Sequence, residues 1–507
     1  MKRIAVIGHV ALEPDAMPLP DSQAGIRHLM GFQNYLRVVD EDNQFRGHLS
    51  CLSRWRGQNE RFSIWDIRLT APLLLATHLR NAGFDARITN SLTPDTWDGR
   101  VAELHDFDPE LIVLSTTFVL TASSFQNIAD KIREWFPSVP VIAGGQHLFT
   151  TLSGMDPEGQ RDYLRHSNFD AFVLDVQGET TLVEFCRTLQ AGGDLTKIPN
   201  LIIRQTDGTV VTTVRLAENN DINLSVFDMA DIQPDQVAHV RTARSCSFKC
   251  AFCTYPAVAG PTTSMGVEQA MTMLRRVKEQ GGKQVVFTDD TFNVPPERFG
   301  ALVDAMIAEK LDLQWYSFLR CQYLTEDLTS RMRDAGCQGV FLGIESGADS
   351  VLKMMKKGAV SRFYRDGIRW MKERDIKTFG AFIIGFPGET DETVEETYDF
   401  IESSGLDYFF LQMFYYLHNA PIHQRAKELG LSGEGFFWSH NSMNWRQASA
   451  HVDRLFHKIQ NAVAANPDFN MWEYAYLRSR GLNHDEYRAY RLRINAMTRD
   501  QMARFSA

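Results

Sequence analysis

Short apolar runs alternate with amphipathic helices twice along this chain, once before residue 195 and again from His239 onward. That rhythm restricts the fold more than any other feature, because it builds parallel sheets covered by helices. In the first series the pattern predicts strands over Arg3–Gly8, Asp85–Thr89, Leu111–Ser115, Val139–Ala143 and Ala171–Leu174. Helices are predicted over Trp65–Ala82, which closes at Gly83, and over Ser123–Trp135 and Thr180–Leu189. The second series places strands near Ala238–Thr242, Gln284–Thr288, Leu313–Leu319, Gly339–Gly343, Lys377–Ile384 and Tyr408–Met413. Its helices fall near Val267–Gln280, Glu297–Glu309, Glu326–Ala335, Ser361–Glu373 and Glu392–Ser403, and units repeated in this way suit a partial barrel.

With 507 residues, 44% of them hydrophobic, the chain has the length for several domains with ordinary cores. A net charge of −10 gives no general attraction to nucleic-acid phosphates, so small molecules or peptides are the expected substrates. No apolar run is long enough to span a bilayer, and MKRIAVIGHV reads as a charged pair entering a buried strand, not as a signal peptide. A cytoplasmic protein that binds neither nucleic acid nor membrane is expected. Of the seven cysteines, Cys51, Cys186, Cys321 and Cys337 read as packing residues.

The other three, Cys246, Cys250 and Cys253, form a C-x3-C-x2-C triplet in RTARSCSFKCAFCTYP, directly after the first strand of the second series. Three thiolates in one loop can bind three irons of a [4Fe–4S] cube and leave the fourth iron open. A zinc site would gather four ligands in paired spacings, and no fourth Cys or close His completes such a set. Three neighbouring cysteines cannot pair evenly as disulfides; chance clustering of buried cysteines is the remaining alternative.

This loop, with Phe252 before its third cysteine, resembles the signature of the radical S-adenosylmethionine (SAM) enzymes. The resemblance implies a [4Fe–4S] cluster on the three cysteines, SAM chelated to the open iron, and an external electron donor such as a flavodoxin or ferredoxin. Further motifs match at the ends of the barrel strands. TDDTF offers Asp289 and Asp290 near the SAM amine, and Arg320 closes the third strand as a candidate clamp on the SAM carboxylate. GIESG offers Glu345 and Ser346 to the SAM methionine or ribose, and GFPGET offers Gly385 and Pro387 beside the adenine. Taken singly, each acid would more often cap a helix or pair on a surface.

Three ends of the first sheet carry small and hydroxyl residues: Ser115, Thr116 and Thr117 in STTF, Gly144 and Gly145 in AGGQH, and Gln177, Gly178, Glu179 and Thr180 in DVQGET. Such ends let a large flat ligand approach the backbone of a Rossmann-like sheet, although glycines singly often just turn the chain. No G-x-G-x-x-G follows the first strand. Ahead of a radical SAM barrel, these loops resemble the cobalamin-binding domain of the class B radical SAM enzymes. The D-x-H-x-x-G motif that supplies a histidine to cobalt is missing, and Arg68 is a candidate to face the cobalt instead.

The expected fold is therefore α/β: a Rossmann-like cobalamin-binding domain (1–195), a linker with a hairpin turning at Asp207-Gly208 (196–237), a partial (β/α)6 radical SAM barrel (238–418) and a mainly helical substrate-capping domain (419–507). Between the first strand and the first long helix, the polar stretch from Ala11 to Ile64 is a candidate lid. In the cap, Phe436, Phe437, Trp438, His440, Trp445, Trp472, Tyr474 and Tyr476 form an aromatic segment; such rings usually build core, yet some of these are expected to face a substrate, and the Tyr487–Arg493 stretch reads as a solvated helix face. Tyr415, Tyr416 and His418 mark the expected catalytic positions.

The cluster loop is most similar to the subgroup containing the phosphinate P-methyltransferases and the tryptophan C2-methyltransferase. That implies transfer of a methyl group from SAM, via methylcobalamin, to a carbon or phosphorus centre of a small molecule or peptide in natural-product biosynthesis. The alternatives are a rearrangement, ring contraction or cyclisation on the same cofactors, and a non-enzymatic Fe–S or cobalamin sensor.

Overall fold

The computed structural model describes residues 2–13, 16–19, 36–57, 60–119, 122–175, 177–216, 218, 236–466 and 470–505. The chain divides into two compact units, one of Met1–Asp15 with Trp65–Asp231 and one of Ala16–Ile64 with Ile232–Ala507.

The first unit is built on seven strands: β1 (Arg3–Ile7), β2 (Asp85–Thr89), β3 (Leu111–Ser115), β4 (Val141–Gly144), β5 (Ala171–Val173), β6 (Leu201–Arg204) and β7 (Val210–Thr212). They lie in the order β7-β6-β5-β4-β3-β1-β2. Successive side chains of a strand point to opposite faces, so a sheet covered on both sides needs continuous apolar runs. Ala5, Ile7, Ile112 and Leu114 accordingly pack on one face with Phe125, Ile128 and Ile132. Ile4, Val6, Leu111 and Val113 pack on the other with Leu79, Leu182 and Phe185.

The domain boundaries differ from expectation at two places. The β6–β7 hairpin is not a free linker: β6 pairs antiparallel with β5 and extends the first sheet. The Ala16–Ile64 stretch leaves the first unit altogether. Its strands Ala16–Pro18, Gln44–Gly47 and Arg37–Val39 form a small sheet, followed by the helix His48–Arg56. Both are tied to the C-terminal helix His484–Phe505, where Val39 N donates to Gln501 Oε1 (2.8 Å) and Arg491 Nη1 donates to His48 Nδ1 (3.1 Å). Residues 20–35 of the candidate lid lie outside the described residues.

In the second unit, β8 (Val237–Val240), β9 (Gln284–Phe287), β10 (Gln314–Leu319), β11 (Cys337–Glu345), β12 (Lys377–Ile384) and β13 (Tyr408–Met413) run parallel in sequential order. Helices intervene at Val267–Glu279, Pro296–Glu309, Glu326–Asp334, Ser361–Glu373 and Asp391–Ser403. A further two-residue strand, β14 (Val463–Ala464), joins parallel to β13. It escapes sequence reading because no alternation precedes it.

The cap carries helices over Trp445–Lys458, Asn470–Ser479 and His484–Phe505. The expectation of a solvated Tyr487–Arg493 face is corrected here: Tyr487, Tyr490 and Arg491 are buried. The tyrosine hydroxyls donate to the buried Glu473 at 3.3 Å each, and Arg491 pairs with Glu473 at 3.5 Å. A buried carboxylate demands such partners, and the interior supplies them.

Candidate functional site

The cysteine loop leaves the carboxyl end of β8 and is anchored from several sides. Asp289, beyond the end of β9, accepts hydrogen bonds from Thr242 N (2.6 Å), Thr242 Oγ1 (2.5 Å) and Ala243 N (3.0 Å). Burial pushes its pKa up, and these donors offset only part of the rise. Because Asp289 is fully buried and fully engaged, it shapes the loop and is not the open carboxylate expected. Its neighbour Asp290 retains exposure and accepts from the Tyr255 hydroxyl; crowding around its carboxyl, together with Asp289, pushes the pKa up to about 6.

Ser245, just before the first cysteine, holds φ 67° and donates its hydroxyl to Gly260 O (2.7 Å). Ala251 N donates to Met355 O, and Ile422 N donates to Ala251 O, each at 2.8 Å. All three thiols are free, with Cys250 buried and Cys246 and Cys253 half-buried. Cys246 Sγ lies 3.5 Å from Thr291 Oγ1, and Arg320 Nη2 lies 3.4 Å from Cys250 Sγ. Burial, and next the negative potential of Cys250, Cys246 and Asp290, raise the Cys253 pKa. Among the described residues, no three His, Cys, Asp or Glu side chains stand in metal-ligating geometry. Three soft sulfur donors on one short loop fit an iron–sulfur cluster.

Glu345 ends β11 at φ 70° and pairs with Lys357 Nζ at 2.8 Å in a site closed to solvent. A Cβ on Gly343 would fall 2.6 Å from the Glu345 carboxylate, so glycine leaves room for the pair. Ser346 is a turn residue here, not an open ligand: it is fully buried, bonded to Thr397 Oγ1 (3.2 Å) and to Ala348 N (3.1 Å). In GFPGET, Gly385 adopts φ 88°, and a Cβ there would meet Trp438 at 2.4 Å. Gly385 N donates to Glu389 Oε2 (2.5 Å), while Oε1 of the same buried carboxyl has no partner; burial pushes the Glu389 pKa up to about 8. Pro387 is buried, and Phe252 packs edge-on to Phe386 at 6.4 Å.

Of the three expected catalytic positions, Tyr416 and His418 come together, their rings edge-on at 5.1 Å, while Tyr415 points elsewhere. Tyr415 is exposed and meets Phe436 edge-on at 4.7 Å. Tyr416 is buried with its hydroxyl 2.6 Å from His423 Nδ1, and His418 Nε2 lies 3.0 Å from Gly433 O. Tyr416 and His418 thus organise the cap. Of the cap rings, Trp438 is buried, Phe437 is exposed, and Trp472 stands edge-on to Phe318 at 5.7 Å.

In the first unit, Thr116 N and Oγ1 both donate to Gly144 O, at 2.8 and 3.0 Å. Ser115 and Thr117 hydroxyls lie 3.1 Å apart. Gly145 holds φ 114°, and a Cβ there would press to 3.3 Å from the Thr116 amide and hydroxyl, so a side chain would fill this cradle. The third loop is spoken for: the Glu218 carboxylate caps Thr180 N (3.0 Å) and Thr181 N (2.8 Å) at the start of the helix Glu179–Gln190. Gly178 is required by packing, since its Cβ would strike Val173 at 2.3 Å. Gln177 is buried and its N–H donates to Asp175 Oδ1 (2.9 Å). Arg68 is half-buried, two residues ahead of the helix Thr70–Asn81.

Sequence reading missed His9 and Phe118. His9, just past β1, stacks on Trp65 at 3.8 Å with Phe118 edge-on to both, and burial pushes its pKa down to about 4. Its place at the carboxyl end of an inner strand was the available signal. Lys357 was missed for lack of any local pattern linking it to Glu345.

The model of the radical SAM superfamily matches residues 240–401. An uncharacterised methyltransferase of Pyrococcus horikoshii is 30% identical over 338 residues, which is 64% of this chain and 71% of the relative. The fold matches the radical SAM methyltransferase TsrM of Kitasatospora setae, solved with its tryptophan substrate and a SAM analogue, with TM-score 0.65 and 16% identity over 99% of both chains. It also matches the cobalamin-dependent SAM radical enzyme OxsB, solved with aqua-cobalamin, with TM-score 0.59 and 15% identity over 94% of this chain and 71% of that one. Among the described residues, no helix is long and apolar enough to cross a membrane. With the cysteine loop at the first barrel strand, and with 71% of the Pyrococcus methyltransferase matched at 30% identity, the chain belongs to the radical SAM superfamily.

Proposed function

We propose that this protein is a cobalamin-dependent radical SAM methyltransferase acting on a carbon or phosphorus centre of a small molecule or peptide. The observation that carries the reading is the pairing, in one chain, of a three-thiol loop at the mouth of a parallel barrel with a second α/β sheet whose strand ends are bare of phosphate-binding sequence. The methyltransferase relative supports it, as do TsrM, which has also been solved with cobalamin and a [4Fe–4S] cluster bound, and the cobalamin-dependent OxsB.

Cys246, Cys250 and Cys253 would hold the cluster; the GFPGET loop, Glu345 and Asp290 would line the SAM site. Thr116, Thr117, Gly144 and Gly145 would admit the corrin. When bound, SAM supplies the methyl group, the cluster supplies an electron, and cobalamin carries the methyl. The chain's own part is to fix the cluster loop through Asp289 and to keep a carboxyl of intermediate pKa, Asp290, beside it. Glu389, neutral at pH 7, keeps a formal charge out of the GFPGET loop.

The test is anaerobic reconstitution with iron, sulfide and hydroxocobalamin, then incubation with methyl-deuterated SAM, a reductant and a panel of indole, phosphinate and peptide acceptors. Label in a product together with S-adenosylhomocysteine is expected. A product of unchanged carbon count, formed with 5′-deoxyadenosine and no S-adenosylhomocysteine, would replace methylation with rearrangement.

A further inference from the structure

We propose that Arg320 is a positioning residue for the iron–sulfur cluster, holding an N–H on the Cys250 sulfur and thereby raising the cluster's reduction potential. The inference rests on the cluster reading above and departs from the SAM-carboxylate clamp that the position of Arg320 first suggests.

Arg320 closes β10 and is buried. Its backbone is locked by the buried Asn293, whose Oδ1 accepts from Arg320 N (3.0 Å) and whose Nδ2 donates to Arg320 O (2.8 Å). Its guanidinium is held on three further sides. Nη1 donates to Lys357 O (2.8 Å), Nη2 lies 3.4 Å from Cys250 Sγ, and the guanidinium carbon stands 3.4 Å over the Phe248 ring. Phe248 and Cys250 belong to the same loop, so the arginine is packed against the cluster ligand and its neighbour at once.

A buried cation ordinarily finds an anion. Among the described residues no carboxylate pairs with Arg320, although Glu345 lies one strand away and is occupied by Lys357. The anion that the fold presents to Arg320 is the Cys250 sulfur, a thiolate once it ligates iron. One N–H of each terminal nitrogen is already committed, to Cys250 and to a backbone carbonyl, so the guanidinium is oriented on the cysteine loop by the fold itself and needs no SAM carboxylate to place it. Reduction adds a negative charge to a cluster, and an N–H donor with a full positive charge at a ligating sulfur favours the reduced form.

The experiment is an anaerobic redox titration of the reconstituted full-length protein, followed by electron paramagnetic resonance, on wild type, Arg320→Lys, Arg320→Gln and Phe248→Leu. Removing the charge in Arg320→Gln should make reduction about tenfold less favourable, a midpoint shift of 59 mV to more negative potential for a one-electron couple. Arg320→Lys should recover part of that shift. Phe248→Leu, which frees the guanidinium to turn away, should move the midpoint in the same direction by less. SAM affinity, measured on the same oxidised samples, should stay near wild type in all three.

An unmoved midpoint in Arg320→Gln overturns the proposal, and a large loss of SAM affinity beside it would restore the clamp. If Arg320→Gln assembles no cluster, Phe248→Leu decides: an unmoved midpoint there overturns the proposal as well. A wild-type chain that takes up no iron would refute the cluster reading itself, a result separable from any of these.

Discussion

The two sheets of this protein finish their strands in different ways. At the carboxyl ends of the barrel, ionisable side chains are locked into pairs: Asp289 with Thr242 and Ala243, Glu345 with Lys357, Arg320 with Cys250, Glu389 with Gly385. At the ends of β3 and β4 the contacts are made by backbone and hydroxyl, with Gly145 opening a cradle and the His9, Trp65 and Phe118 rings beside β1. A barrel arranged this way prepares fields for small charged groups. A sheet arranged like the first prepares room for a broad, flat one. The difference teaches that one chain can serve two ligands by two means, charge placement and steric omission.

The comparison breaks if the two sets of residues are not independent. Cys250→Ala should abolish the cluster and SAM cleavage while corrin uptake by the first unit stays intact, measured by iron and sulfide counting beside cobalamin absorbance. Retention of a full cluster would defeat the assignment of the triplet. Next in size, Lys357→Met leaves the Glu345 carboxylate buried and alone, at a cost of about 3–5 kcal/mol. Adding Glu345→Gln should recover most of that loss in denaturant unfolding, and a double variant no better than the single would show that the pair is not coupled.

The Glu389 carboxyl sharpens the contrast through pH. Its folded pKa, about 8, lies above the usual carboxylate value of 4.5, so its proton is held more tightly in the folded state. Stability from this group is complete below the unfolded pKa and is lost as pH rises from about 4.5 to about 8. Glu389→Gln should flatten the fall in melting temperature over that range; an unchanged slope would show that the group titrates normally. The smallest effect is expected in the first unit. Gly178→Ala forces a methyl against Val173 and should cost about 1–3 kcal/mol, read as earlier unfolding with the cluster spectrum unaltered.

Of the site, the cysteine loop was legible because iron ligation by three thiols imposes a local spacing. The motif glycines Gly385 and Gly145 were legible because positive φ and close approach leave few residue choices. The roles of the acids were not. Asp289 and Ser346 sit in motifs expected to contact SAM, yet the fold turns both inward, since a buried carboxylate or hydroxyl takes the nearest donors. Tyr487 and Arg491 look solvated in sequence because the buried Glu473 that requires them lies on another helix.

By itself, then, the sequence determined the two βα series and the thiol triplet at the head of the barrel. These depend on periodicity and spacing along the chain, which local physics enforces. Only the tertiary structure decided that residues 16–64 pack with the C-terminal helix, that β14 joins the barrel, that Lys357 answers Glu345 and that Arg320 reaches Cys250. Each of those is a contact between segments far apart in sequence, or a direction taken by one side chain, and no periodic pattern records either.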